Sequence, residues 1–254
     1  MFRFFICSIC LLVSVLCRAE GQDYDVYLLI GQSNMAGRGE LKPKDCSPVE
    51  GVWLLKTDGT IEPAACPMNR YSTIRKGIEM QKMSPAYSFG KTLHKVTGRK
   101  ILLVVNARGG SAIEEWKKGN GKTLYYEEAV RRTKEALRYG TLKGVLWHQG
   151  ESNIAGADRY IEQLIAIIEN LRKDFDNERL PFIAGEIAHW NAGASVMNAA
   201  IRSLPARVEH TGYVTSEGAR PLKDFGDPHF NRKGSMLMGK RYARKILEMV
   251  YGIK

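Results

Sequence analysis

The chain has 254 residues, enough for one sizeable domain with a full core and short of what two independent domains usually need. It is 44% hydrophobic and 26% charged, which excludes a disordered, collagenous or multi-span membrane chain. The formal charge of +11 is spread along the sequence without a dense basic run or nucleic-acid motif, so it fits acidic polysaccharide or a membrane face better than nucleic acid and by itself establishes no partner.

The first element is a targeting segment. Arg3 precedes a nearly unbroken apolar run over 4–16, and Cys17-Arg18-Ala19 ends it with small residues at the cleavage-determining positions. The run is too short to span a bilayer, so a signal peptide over 1–19 and a single mature domain over 20–254 are expected, with the product secreted or periplasmic and not stably inserted in membrane. Leu16 is bulky for a residue preceding a lipid-modified cysteine, which argues against an anchor on Cys17. Removal of this segment leaves Cys46 and Cys66, either one disulfide stapling a long loop or two free thiols.

Beyond it, Val26-Tyr27-Leu28-Leu29-Ile30 reads as a buried strand that runs into Gly31-Gln32-Ser33-Asn34-Met35-Ala36-Gly37. An irregular stretch over 38–82 follows, with a short strand candidate over 52–55. A loop of that length is usually functional, and it is placed to form one wall of a cleft. Ser84 and Pro85 open a helix that stops at Gly98. A strand over 101–105 leads to Asn106-Ala107-Arg108-Gly109-Gly110-Ser111, a helix spans 125–138, and a strand over 144–147 leads to His148-Gln149-Gly150-Glu151. An amphipathic helix over 158–173, a strand over 181–185, a helix over 195–204, a short strand over 211–214 and a helix over 233–250 complete the chain. Strands alternating with helices predict a three-layer α/β/α sandwich around a mainly parallel sheet of roughly five strands.

In this register three clusters rich in glycine and polar residues fall at the carboxyl edge of one sheet, where open α/β sheets bind ligands. A fourth, Asp227-Pro228-His229-Phe230-Asn231, precedes the last helix. Acyl transfer needs a nucleophile, a base, an orienting acid and oxyanion donors. Ser33 is the candidate nucleophile and His229 the candidate base. The Ser33 amide, a glycine amide at Gly109 or Gly110, and the Gln149 side chain are candidate oxyanion donors. His148 and Glu151 lack a third partner at metal-ligand spacing, and no Gly-Lys-Ser/Thr follows the early glycines, so neither a metal nor a phosphate-binding cofactor is expected.

These residues resemble a known family. Gly-Gln-Ser-Asn-Met-Ala-Gly, the Gly-Gly-Ser-(x)4-Trp of Gly109 to Trp116, His-Gln-Gly-Glu-Ser, and His-Phe followed by Gly239-Lys240-Arg241-Tyr242-Ala243 look like the carbohydrate-active SGNH hydrolases. That branch includes sialate O-acetylesterases and the acetylxylan esterases of carbohydrate esterase family six. The resemblance runs from about residue 25 to 242. It implies a cofactor-free serine esterase that removes O-acetyl groups from xylan-type sugars or sialic acid. It matches Ser33 to the nucleophile, Gly109-Gly110 and Gln149 to the oxyanion donors, and His229 to the histidine.

One position departs from the pattern. Many relatives carry an acid three residues before the histidine, and here residue 226 is glycine. The resemblance allows a glutamate of the third block to replace it, so Glu151 is expected to orient His229, with Asp227 as the alternative. Asn34, Trp116 and His189 are candidate substrate contacts, although Asn34 could equally brace its own turn and Trp116 could be core. The rival readings are a general short-chain lipase or thioesterase, and a sugar-binding module without catalysis. Intact Ser33, Gln149 and His229 argue against the latter.

Overall fold

A computed structural model describes residues 24–254. The expected signal peptide over 1–19 lies outside the described residues. The sheet is built from β1 (Tyr24–Gly31), β2 (Val52–Leu55), β3 (Ile61–Pro63), β4 (Lys100–Ala107), β5 (Gly140–His148), β6 (Phe182–Gly185) and β7 (Thr211–Val214). Its order is β3-β2-β4-β1-β5-β6-β7, and all pairings are parallel except β2 with β3. The sheet therefore has seven strands where about five were expected. The strand candidate over 52–55 is β2 and joins the sheet, and β3 is a further strand; both lie inside the stretch over 38–82. A three-residue strand ending in Pro63 gives almost no alternation signal, and proline is tolerated there because the strand is at the edge.

The helices are α1 (Ser33–Ala36), α2 (Pro85–Thr97), α3 (Tyr125–Ala136), α4 (Ala157–Asp174), α5 (Ala194–Arg207) and α6 (Arg232–Tyr251). Alternation along β1 sorts them into two layers. Val26, Leu28 and Ile30 face one core with α3, α4 and α5, whereas Tyr27 and Leu29 face the other with α2 and α6. The three-layer sandwich is the expected one. Ser84 occupies the N-cap of α2, but its hydroxyl makes no capping bond. Pro85 at the first turn and Gly98 in the left-handed C-cap, at φ 66°, delimit that helix.

The strand register positions the site. Gly31 pairs with Ala107 on one side and His148 on the other, so the loops after β1, β4 and β5 leave the sheet side by side. Gly31 has φ 131°, and a Cβ there would collide with the His148 carbonyl, so only glycine lets the two chains approach this closely. The stretch over 38–82 is fastened at both ends. Asp45, fully buried, takes Arg232 at 2.6 and 2.8 Å and ties the stretch to the start of α6. Asn69, also fully buried, exchanges two bonds with the Ala107 backbone at the end of β4.

Cys46 and Cys66 are both free thiols. Cys46 is exposed, whereas Cys66 is buried and burial pushes its thiol up to about 12. A thiolate, not a thiol, reacts with a disulfide reagent. In a chain beginning at residue 20, Ellman titration should therefore count one thiol in the native protein and two after unfolding. A count of zero in unreduced, unfolded protein would instead mean a Cys46–Cys66 bridge.

Candidate active site

Ser33 is the first residue of α1, one turn of helix set directly on the end of β1. The turn is held by Gln32. Its backbone N–H donates to the His148 carbonyl at 2.8 Å, and its side-chain oxygen accepts from the amides of Gly150 and Ser152. The Gln32 side chain thus locks the loops after β1 and β5 together. Ser33 itself is 6% exposed.

His229 reaches Ser33 from a segment nearly two hundred residues away in sequence. Its Nε2 lies 3.0 Å from Ser33 Oγ, and its Nδ1 lies 2.8 Å from Asp227 Oδ1. With Nδ1 donating to the carboxylate, Nε2 carries the free lone pair and accepts the hydrogen bond of the Ser33 hydroxyl. Burial pulls the His229 pKa below its ordinary 6.5 and Asp227 opposes this, while Arg38 and Lys223 add to the lowering.

The orienting acid is therefore Asp227 and not Glu151, which corrects the sequence expectation. The same Asp227 Oδ1 also accepts the backbone N–H of His229 at 2.9 Å. An aspartate that binds the amide two residues on curls the chain into a local turn. That turn brings a carboxylate two positions upstream against Nδ1 without the usual helical spacing. Glu151 is committed elsewhere. Its Oε1 accepts from Asn34 Nδ2 at 2.6 Å, and burial raises its pKa to about 7.

Asn34 proves to be a brace and not a substrate contact. It is 2% exposed, and all of its amide is engaged. Nδ2 donates to Glu151 and to the Pro228 carbonyl at 3.0 Å, and Oδ1 accepts from the Phe230 amide at 3.0 Å. These bonds grip the backbone on either side of His229. Trp190, missed as a positioning residue, holds the same segment through Nε1 to the Asp227 carbonyl at 2.8 Å and packs on Phe230.

The Gln149 side chain has no hydrogen left for an oxyanion, a second correction. It is fully buried, and its Nε2 hydrogens go to the Ser111 carbonyl at 3.1 Å and to Asn153 Oδ1 at 2.7 Å. Ile113 donates to that Asn153 oxygen, and Asn153 Nδ2 donates to Glu114, so the assignment of the amide is fixed by its neighbours. Gln149 buttresses the turn that carries Gly109 and Gly110. Trp116 does the same. It is fully buried, donates Nε1 to Ser111 Oγ at 2.9 Å and packs edge-on against Trp147, so it is core and cannot stack on a sugar.

Gly109 lies against the nucleophile. A Cβ placed on it would sit 3.7 Å from Ser33 Cβ. Among the described residues, the backbone N–H groups of Ser33, Gly109 and Gly110 donate to no protein acceptor. Such amides beside a nucleophile can receive a developing oxyanion. His189 is exposed, donates from Nδ1 to the Ser216 carbonyl at 3.1 Å, and packs edge-on against Trp190. His148 is fully buried with Nδ1 on Tyr242 Oη at 3.0 Å, and burial lowers its pKa to about 3, so it stays neutral. Among the described residues, no group of three or more His, Cys, Asp or Glu side chains is placed to hold a metal ion.

Comparison with known proteins agrees with this architecture. A probable carbohydrate esterase of Arabidopsis thaliana is 29% identical over 87% of this chain and 90% of its own length. The human sialate O-acetylesterase is 30% identical over a match that covers 34% of this chain and a fifth, 20%, of that protein. Among solved structures, a protein from Arabidopsis thaliana superposes with a TM-score of 0.80 at 27% identity, covering 90% of this chain and 99% of that one. A carbohydrate acetylesterase from Xanthomonas citri shares the fold with a TM-score of 0.67 at 22% identity, over 90% of this chain and 57% of that one. The family model described as "Carbohydrate esterase, sialic acid-specific acetylesterase" matches residues 23–248, nearly all the described chain, and the protein belongs to that SGNH-like carbohydrate esterase family.

Proposed function

We propose that this carbohydrate esterase removes O-acetyl groups from a sugar through an acyl-enzyme on Ser33. The observation that carries the reading is the unbroken relay of Ser33 Oγ, His229 and Asp227, at 3.0 and 2.8 Å, beside the unpaired amides of Ser33 and Gly109. His229 takes the serine proton as Oγ attacks the acetyl carbonyl. The Ser33 and Gly109 amides hold the oxyanion, and His229 then gives its proton to the sugar oxygen as the C–O bond breaks, so the sugar leaves as its free hydroxyl. Water activated by the same imidazole releases acetate. Asp227 keeps Nδ1 protonated throughout and stabilises the imidazolium. The apolar start of the chain supports export, which would bring the enzyme to extracellular or periplasmic glycans.

The first test is acetate release from acetylated sugars against esters of longer acids. Acetyl esters should be preferred, and Ser33→Ala should lower kcat by roughly 10⁴-fold or more with the fold intact. A folded Ser33→Ala protein of wild-type activity would remove Ser33 from the mechanism. A serine-directed phosphonate should label the wild type at this position alone.

Asp227→Asn should cost about 10³–10⁴-fold in kcat, because it no longer fixes the reactive tautomer. Glu151→Gln keeps an acceptor for Asn34 and should stay within about tenfold of wild type. The reverse order, measured on folded variants, would return the orienting role to Glu151.

The pH profile follows from His229. The neutral imidazole is the base, so kcat/KM should rise with a midpoint below 6.5 and level off by neutral pH. Asp227 raises the His229 pKa, so the residual activity of Asp227→Asn should show its midpoint at still lower pH. A shift to higher pH would contradict the assigned pairing.

A further inference from the structure

The excess positive charge is even along the sequence but uneven over the fold. α2 and α6 together carry eight lysines and arginines against one carboxylate, Glu248. On the opposite face of the sheet, α3, α4 and α5 carry eight against seven. There the surface charges cancel in pairs, Arg131 with Glu128 and Glu135, and Arg207 with Glu162. The ion pairs of α2 and α6 among the described residues are Arg232 with Asp45 and Lys245 with Glu248. Lys91, Lys95, Lys233, Lys240 and Arg244 are all exposed, and their charge is left facing solvent.

These cations share one surface. α2 and α6 pack side by side, and Ser88 Oγ donates to the Met236 carbonyl at 2.8 Å. A Cβ on Gly239 would collide with the Pro85 carbonyl, so glycine sets how closely the helices approach. Both helices run away from the catalytic edge. α6 begins at Arg232, shortly after His229, and ends where Tyr251 Oη donates to Asp25 Oδ2 at 2.7 Å near the start of β1. α2 leads to Lys100, which pairs with Tyr24 at that same end. Two aliphatic side chains stand out there. Val96, in the last turn of α2, is 47% exposed, and Ile253, just beyond α6, is 39% exposed. The apolar run over 4–16 also leads into β1 at this end.

We infer that the outer face of α2 and α6 is a docking surface for an anionic phospholipid membrane, with its lysines and arginine on the headgroups and Val96 and Ile253 reaching between them. A one-signed field is attracted to an anionic lipid surface within a Debye length, and each cation held there strengthens partitioning by about fivefold. The two aliphatic side chains favour lipid over an acidic polysaccharide, which offers the charge but no acyl region to receive them. Ser33 lies beyond the other end of β1, so a docked protein keeps its cleft open. The inference stands apart from the identity of the ester cleaved at Ser33.

The experiment measures co-sedimentation of the chain beginning at residue 20 with two kinds of vesicle, phosphatidylcholine alone and equal parts phosphatidylcholine and phosphatidylglycerol. Wild-type protein should bind the mixed vesicles and not the neutral ones, and binding should weaken as salt is raised. A triple variant, Lys95→Gln, Lys240→Gln and Arg244→Gln, should bind roughly a hundredfold more weakly. A second triple, Lys134→Gln, Arg159→Gln and Lys173→Gln, removes the same charge from exposed positions of the opposite layer and should stay within about fivefold of wild type. Val96→Ser with Ile253→Ser should weaken binding severalfold and leave its salt dependence unchanged. Thermal unfolding checks that each variant is folded, and the single variants Lys95→Gln and Arg244→Gln, each expected to lose about fivefold, carry the comparison if the first triple is not. Absence of binding to the mixed vesicles, or equal losses in the two triples, overturns the assignment. Unchanged binding after loss of Val96 and Ile253 removes the lipid contact and overturns it too. Tighter capture by soluble polygalacturonate than by the mixed vesicles would give the face to acidic polysaccharide instead.

Discussion

The side-chain amide of Asn34 joins three segments that the chain delivers separately to the sheet edge. Through Nδ2 it holds Glu151 on the loop after β5 and the Pro228 carbonyl, and through Oδ1 it holds the Phe230 amide. His229 lies between the two gripped residues. Its imidazole is therefore positioned by backbone bonds on both sides and by the Asp227 turn beneath it. Because the amide is almost fully buried, these bonds do not compete with water, and leaving any of them unmade would cost about 1–3 kcal/mol. The residue next to the nucleophile thus decides where the base stands.

A second set of contacts orders the other side of the nucleophile. Gln149 and Trp116 both bind Ser111, one at its carbonyl and one at its hydroxyl, and so hold the turn whose glycine amides face Ser33. Gln32 ties the turn after β1 to the loop after β5. Most polar residues of the shared motifs are therefore scaffold, and few of them are free to touch a ligand. That division follows from desolvation: a buried amide with unspent hydrogens is expensive, so the fold spends them on its own carbonyls.

The electrostatics of the cleft are consistent with chemistry at neutral pH. Burial and the nearby Arg38 and Lys223 keep the His229 imidazole neutral and available, and Asp227 limits how far its basicity falls. Glu151 is held away from the ring, and its raised pKa reflects its own burial. A second carboxylate close to His229 would have held the imidazole charged and weakened it as a base.

The sequence by itself determined the alternation of strands and helices, the carboxyl-edge placement of Ser33 and Gly109, and the family, because hydrophobic periodicity and short motifs are local signals. It did not determine which side chains are spent on the scaffold. Gln149, Trp116 and Asn34 look equally able to face a ligand in one dimension, and only packing shows that their N–H donors are already spent. The choice between Glu151 and Asp227 was also beyond the sequence. It depends on a turn that Asp227 makes with the His229 amide and on the capture of Glu151 by Asn34, a contact across 117 positions of chain. β3 was obscured because an edge strand of three residues carries too little pattern to read, and only its pairing with β2 defines it.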